Sequence, residues 1–93
     1  MIMAKITVAV YTTLREKLGF SRKDFEGKNL AEIIDAVCRL KREAPGLLLD
    51  GPSKVKSHFV VTLNSEIVDN SKLKKTKIKD GDILHIFPPV SGG

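Results

Sequence analysis

An α+β roll, a mixed sheet packed on one main helix, is the fold class the sequence predicts, and three observations carry it. Residues 2–11 alternate between apolar and polar side chains. Residues 30–44 carry an apolar stripe of helical period behind an N-cap pair. Further strand-like segments follow the helix, and the first and last strands of the chain are the most apolar.

In the first segment Ile2, Ala4, Ile6, Val8 and Val10 alternate with Met3, Lys5, Thr7, Ala9 and Tyr11, the period-two signature of a half-buried strand. Residues 13–19 offer one or two helical turns ended by Gly19, too short to stand without packing. A weaker strand is expected at about residues 21–26, anchored by Phe25. Asn29 and Glu32 form an N-cap pair, and Leu30, Ile33, Ile34, Val37, Leu40 and Ala44 mark the buried face of the main helix. Glu32 and Asp35 near its start and Arg39, Lys41 and Arg42 near its end suit the helix dipole, and Pro45-Gly46 is expected to stop it. Residues 47–57 read as a loop with one helical turn and a break at Gly51-Pro52.

Residues 58–63 alternate again, with Phe59, Val61 and Leu63 on one side, and Asn64-Ser65-Glu66 turns the chain into Ile67-Val68 as a hairpin. Residues 72–79 form a lysine-rich connector, Asp80-Gly81-Asp82 a tight turn, and residues 83–87 a final strand ended by Pro88-Pro89. If the first and last strands are central neighbours they run parallel, because a crossover containing the helix separates them. That topology is the β-grasp.

With 93 residues, 42% of them hydrophobic, the chain can close one core, so residues 1–93 are expected to form a single domain with a flexible tail over 88–93. A deep catalytic cleft is hard to build at this size, and bond-making machinery is expected to reside in larger partners. Sixteen Lys and Arg against eleven Asp and Glu give a charge of +5, compatible with an acidic partner. A single cysteine, Cys38, excludes an internal disulfide framework and a cluster held by four thiolates of this chain. The first segment carries Lys5 and no cleavage pattern, so a soluble cytoplasmic protein is expected rather than a secreted or membrane one.

Lys79-Asp80-Gly81-Asp82 leading into an apolar strand, and Phe87-Pro88-Pro89-Val90-Ser91-Gly92-Gly93 at the end, resemble the MoaD/ThiS sulfur carriers of the ubiquitin-like β-grasp group. Thr13-Leu14-Arg15-Glu16, the helix beginning at Leu30, and Leu63-Asn64-Ser65-Glu66-Ile67-Val68 extend the resemblance over the whole chain. The tail is more similar to MoaD, the small subunit of molybdopterin synthase, than to ThiS. Ser65 stands where the family often has glycine, Thr12-Thr13 where an aromatic-small pair is common, and residues 49–56 form an extended stretch.

The resemblance implies a mechanism. An ATP-using enzyme of the ubiquitin-activating type (MoeB/ThiF-like) adenylates Gly93, and sulfur from a persulfide enzyme displaces AMP to leave a 1-thioglycine thiocarboxylate. A large synthase subunit (MoaE-like), in an expected heterotetramer, receives that sulfur into the molybdopterin dithiolene. The chain itself binds no cofactor and acts as a non-catalytic sulfur-donor subunit. The tail's composition suits this role. Pro88 and Pro89 stiffen the exit from the sheet, while Gly92 and Gly93 remove every Cβ from the tip. The five residues beyond Pro88 reach on the order of 16 Å when extended, enough to thread a narrow channel through Pro89, Val90 and Ser91 to Gly93.

If Leu84 and Ile86 face the core, then Ile83, His85 and Phe87 face away, and with Val60 they form an apolar stripe suited to partner docking. Arg15 is a candidate for partner carboxylates by the same resemblance, against the alternative of a solvated arginine. No Ser, Cys or carboxylate sits at a recognisable spacing from His85, which favours an interface role for it. Lys72, Lys74, Lys75, Lys77 and Lys79 lack the interleaved aromatics of a nucleic-acid platform and read as a solvated connector. Cys38 reads as packing, with no basic neighbour to activate it. Two further outcomes share the tail chemistry: sulfur delivery in thiamine, cysteine or tRNA thiolation, and conjugation of Gly93 to protein lysines. A basic nucleic-acid module is the contrasting class.

Overall fold

The alternation of residues 2–11 becomes strand β1 (Ala4–Val10), the first of five strands in the computed structural model, which describes residues 3–88. Helix α1 (Thr12–Leu18) follows and is capped by Gly19 at φ 85, a left-handed position that suits glycine. Then come β2 (Arg22–Gly27), α2 (Leu30–Cys38), α3 (Ala44–Leu48), β3 (Val60–Leu63), β4 (Glu66–Ile67), a 3-10 turn (Leu73–Lys75) and β5 (Ile83–Phe87). The strands form one sheet in the order β2-β1-β5-β3-β4. β5 runs parallel to β1, with Val10 opposite Ile86, while β1 pairs antiparallel with β2, as β3 does with β4 and β5. The parallel pair at the centre and the helix-bearing crossover make this the expected β-grasp.

One face of the sheet and the inner face of α2 close the core. Ile6, Val8 and Val10 from β1, Leu84 and Ile86 from β5, and Leu30, Ile33, Ile34 and Val37 from α2 are each 1% exposed or less. Glu32 N–H donates to Asn29 Oδ1 at 3.0 Å, and Glu32 Oε1 accepts from Lys28 N–H at 2.8 Å, so the expected N-cap pair binds the helix start.

The main helix is shorter than its apolar spacing predicts. It ends at Cys38, where Leu40 N–H turns back to the Val37 carbonyl and Leu40 stays 40% exposed. Pro45-Gly46 does not stop it but lies inside the separate α3, with the proline in the first turn. A proline has no N–H to lose there, so it begins a helix as readily as it ends one. The loop expected over 47–57 therefore starts later, with Leu49 and Val55 forming an isolated bridge. The lysine segment keeps its lysines exposed, as expected, but it is not solvated throughout. Leu73 is fully buried, and the Leu30 N–H donates to the Thr76 carbonyl, which fastens the segment beneath α2.

The Lys79-Asp80-Gly81-Asp82 turn knits three elements. Asp80 Oδ1 accepts from the Lys5 N–H at 2.8 Å, Gly81 N–H donates to the Lys5 carbonyl, and Asp82, 4% exposed, accepts from Lys79 N–H and Asn64 Nδ2. Asn64 Oδ1 in turn accepts from the Ile83 N–H at 2.9 Å. The two carboxylates satisfy donors from β1, from the turn itself and from Asn64, so this motif ties the turn in front of β5 to its neighbours.

Candidate functional site

Burial fixes which way β5 faces. Leu84 and Ile86 are fully buried, so Ile83, His85 and Phe87 lie on the opposite face of the sheet, as the alternation requires. Val60 pairs with Phe87 across β3 and β5, and the two are 47% and 37% exposed. The stripe expected from Ile83, His85, Phe87 and Val60 is thus assembled on the outer face, at the end of the strand that leads to Pro88. Pro88 itself is half-buried. Pro89, Val90, Ser91, Gly92 and Gly93 lie outside the described residues.

Two residues join the stripe that sequence reasoning missed. Tyr11, just past the end of β1, stacks on Phe87 with ring centroids 4.7 Å apart and planes within 5°. Its hydroxyl lies 2.6 Å from His85 Nδ1. The His85 ring lies 5.8 Å from that of Tyr11 and 5.9 Å from that of Phe87, so three near-parallel rings meet where the last strand ends. The signal was present, because Tyr11 continues the outward register of Lys5, Thr7 and Ala9, but its neighbours depended on the parallel β1–β5 register. Ile67, 81% exposed, lies opposite Thr62, which is opposite His85, and extends the apolar surface to the edge strand β4. Towards β2 the same face turns polar, where Thr7 Oγ1 donates to Asp24 Oδ1 at 2.8 Å.

Arg15 is exposed on α1, and no described side chain hydrogen-bonds its guanidinium. It is not brought into the ring cluster. Cys38 is buried on α2, and loss of solvent, followed by the nearby Asp35 carboxylate, pushes its thiol up to about 11. A thiol in that state is a packing group rather than a nucleophile. The lysine segment borders a groove of about 580 Å³ beside β4, whose lining includes Lys72, Lys75, Lys77 and Lys79 and no cysteine or histidine. Among the described residues, no group of His, Cys, Asp and Glu is placed to hold a metal ion. No helix among them is long and apolar enough to cross a membrane. Among the described residues the outer face carries aromatic and aliphatic side chains with one histidine, and no cysteine.

Comparison with known proteins agrees with this architecture. The ThiS family profile matches residues 8–93. Small archaeal modifier protein 3 of Haloferax volcanii is 30% identical over 91 residues, spanning 96% of this chain and 99% of the relative. A chain in the crystal structure of the BexX/CysO complex of Amycolatopsis orientalis is 32% identical, with a TM-score of 0.77 over 95% of this chain and 99% of that one. The small archaeal modifier protein 1 of Methanosarcina acetivorans shares the fold at 20% identity, with a TM-score of 0.84 over the full length of both chains. With its five-stranded β-grasp and a match reaching Gly93, the chain belongs to the ThiS family of ubiquitin-like sulfur carriers.

Proposed function

We propose that the chain is the sulfur-donor subunit of a molybdopterin synthase. An activating enzyme adenylates the Gly93 carboxylate with ATP, releasing pyrophosphate. The outer sulfur of a partner's persulfide displaces AMP to form an acyl disulfide, and a second thiol cleaves that S–S bond, leaving the thiocarboxylate and a new disulfide. The large synthase subunit then receives the sulfur into the dithiolene. A carboxylate is a poor acyl donor until it is activated, so the adenylate supplies the leaving group, and the partners supply positioning and charge stabilisation. The observation that supports this reading is the convergence of Ile83, His85, Phe87, Val60 and Tyr11 on the strand end from which Pro88 and the tail depart. A docked partner would hold that strand end, and residues 88–93 would carry Gly93 to the partner's reaction centre. Arg15, exposed one turn into α1, would add an ionic contact at the rim.

Two relatives support a second reading of the same tail. The likeness to a small archaeal modifier protein favours conjugation of Gly93 to protein lysines, and the likeness to a chain of the BexX/CysO complex favours a different sulfur acceptor. Intact mass of the protein purified from its own cells tests the shared step, with sulfur in place of one terminal oxygen as the expected result. Affinity capture with the tail intact then separates the readings. A synthase large subunit supports the first, another thiotransferase the alternative acceptor, and a ladder of lysine conjugates the modifier. An unmodified terminus together with salt-sensitive nucleic-acid binding would overturn all three.

A further inference from the structure

The ring cluster contains one hydrogen bond whose direction has chemical consequences. Tyr11 Oη and His85 Nδ1 are 2.6 Å apart, part-buried between Phe87 and the end of β1. Of the two neutral groups the phenol is the stronger acid, so it donates and Nδ1 accepts. The imidazole proton then sits on Nε2. No described residue hydrogen-bonds Nε2, and the ring lies between Ala9 and Thr62 on the neighbouring strands, with Ile83 and Phe87 on its own. If the imidazole were protonated, Nε2 would still carry a hydrogen. In either state the outer face presents one directed N–H donor in the middle of an apolar stripe.

We infer that Tyr11 and His85 form a specificity-determining pair, in which the tyrosine hydroxyl fixes the imidazole so that Nε2–H demands an oxygen acceptor from whatever protein docks on this face. The occupant is a partner protein that places a backbone carbonyl or a carboxylate opposite Nε2 while covering Phe87, Val60 and Ile67 with apolar side chains. A partner with a purely apolar surface would bury an unsatisfied donor, a larger loss than the mere absence of one hydrogen bond. Discrimination by a buried polar group exceeds what another methyl contact can supply. His85 touches the partner, and Tyr11 acts through it as a positioning residue. The inference rests on the proposed docking of a partner at this strand end and takes that partner to be the activating enzyme, which must reach Gly93 first.

The test uses the full chain. Imidazole nitrogen shifts of His85 are measured by NMR in wild type and in Tyr11→Phe, and KM and kcat for ATP-dependent adenylation are measured for these and for His85→Leu and His85→Gln. The expected wild-type imidazole carries its proton on Nε2, and Tyr11→Phe mixes the tautomers. His85→Leu is expected to raise KM about tenfold, Tyr11→Phe two- to threefold, and His85→Gln, which retains an N–H donor, to recover much of the leucine loss. Melting temperatures identify any variant that fails to fold, and the wild-type tautomer is read without any variant. A wild-type proton on Nδ1, or a leucine variant with wild-type KM, overturns the pair while leaving the carrier reading intact. A wild-type chain that no activating enzyme adenylates overturns the carrier reading and the inference with it.

Discussion

At Ser65 the backbone takes φ 76, directly after Asn64 at φ 51, because the tight turn between β3 and β4 needs both central residues on the positive side. Asn64 is suited to this and is further held by its bonds to Asp82 and Ile83. Serine is not, and a left-handed L-residue carries a cost of roughly 1 kcal/mol or more. Glycine removes that strain but gains freedom in the unfolded chain, worth about 0.4–1 kcal/mol in the opposite direction. Ser65→Gly is therefore expected to stabilise the protein by about 0.5 kcal/mol, read as a higher denaturant midpoint at unchanged slope; a lower midpoint would show that the hydroxyl matters more than the backbone. Cys38 supports a second expectation at this scale. Its folded pKa of about 11 lies above the ordinary thiol value of 9.0, so this thiol favours folding below pH 9 and loses that contribution as pH rises through about 11. Iodoacetamide is expected to leave Cys38 unmodified in the native protein at neutral pH and to label it after unfolding. Rapid native labelling would contradict both the burial and the raised pKa.

Among the described glycines, Gly27 at the junction of β2 with α2 has the least room for a side chain. A Cβ added to Gly27 would lie 2.9 Å from the Glu32 Cβ and 3.3 Å from the Ile33 Cδ1. Neither clash falls at the free end of a polar side chain, so the helix start would have to move, and with it the Asn29 and Glu32 cap bonds. Gly27→Ala is expected to cost about 1–3 kcal/mol, the range of overpacked sites. For a chain of 93 residues that corresponds to a fall of at least about 4 °C in the melting temperature, and an unchanged value would show that the junction yields easily. This constraint was not legible in the sequence, where Gly27 marks only the end of a weak strand. The cap at Asn29 was legible, because the cap and the donor it satisfies are three residues apart. The end of α2 was not: Leu40 and Ala44 continue the helical spacing, yet Ala44 serves the core from a second helix. Local periodicity records which residues are buried and is silent on whether one helix or two bury them. The short 3-10 turn was missed for a similar reason, since Leu73 stands alone among lysines and its partners are on α2.

For the molecule as a whole, the topology was legible because the two most apolar strands had to be central, and a helix between them left only a parallel pairing. The outer stripe followed from that register for Ile83, His85, Phe87 and Val60, while Tyr11 and Ile67 needed the strands set side by side. The resulting division of labour can be measured. Among the described residues, the core cluster runs from Ala4 to Ile86, so the stability those residues provide does not depend on Gly93. One alanine added after Gly93 is expected to leave the melting temperature within about 2 °C of wild type while abolishing thiocarboxylate formation, since the tip would then carry a Cβ and a displaced carboxylate. Phe87 separates the two properties from the other side. It is 37% exposed and stacks on Tyr11, so Phe87→Ala is expected to cost about 1 kcal/mol of folding stability. At the centre of a docking face the same truncation is expected to cost 2 kcal/mol or more of binding, about thirtyfold in affinity for the activating enzyme. The comparison turns on which loss is larger. A stability loss exceeding the binding loss would mean that Phe87 serves the fold and that partners approach by another surface, while normal sulfur transfer by the extended chain would remove Gly93 from the chemistry altogether.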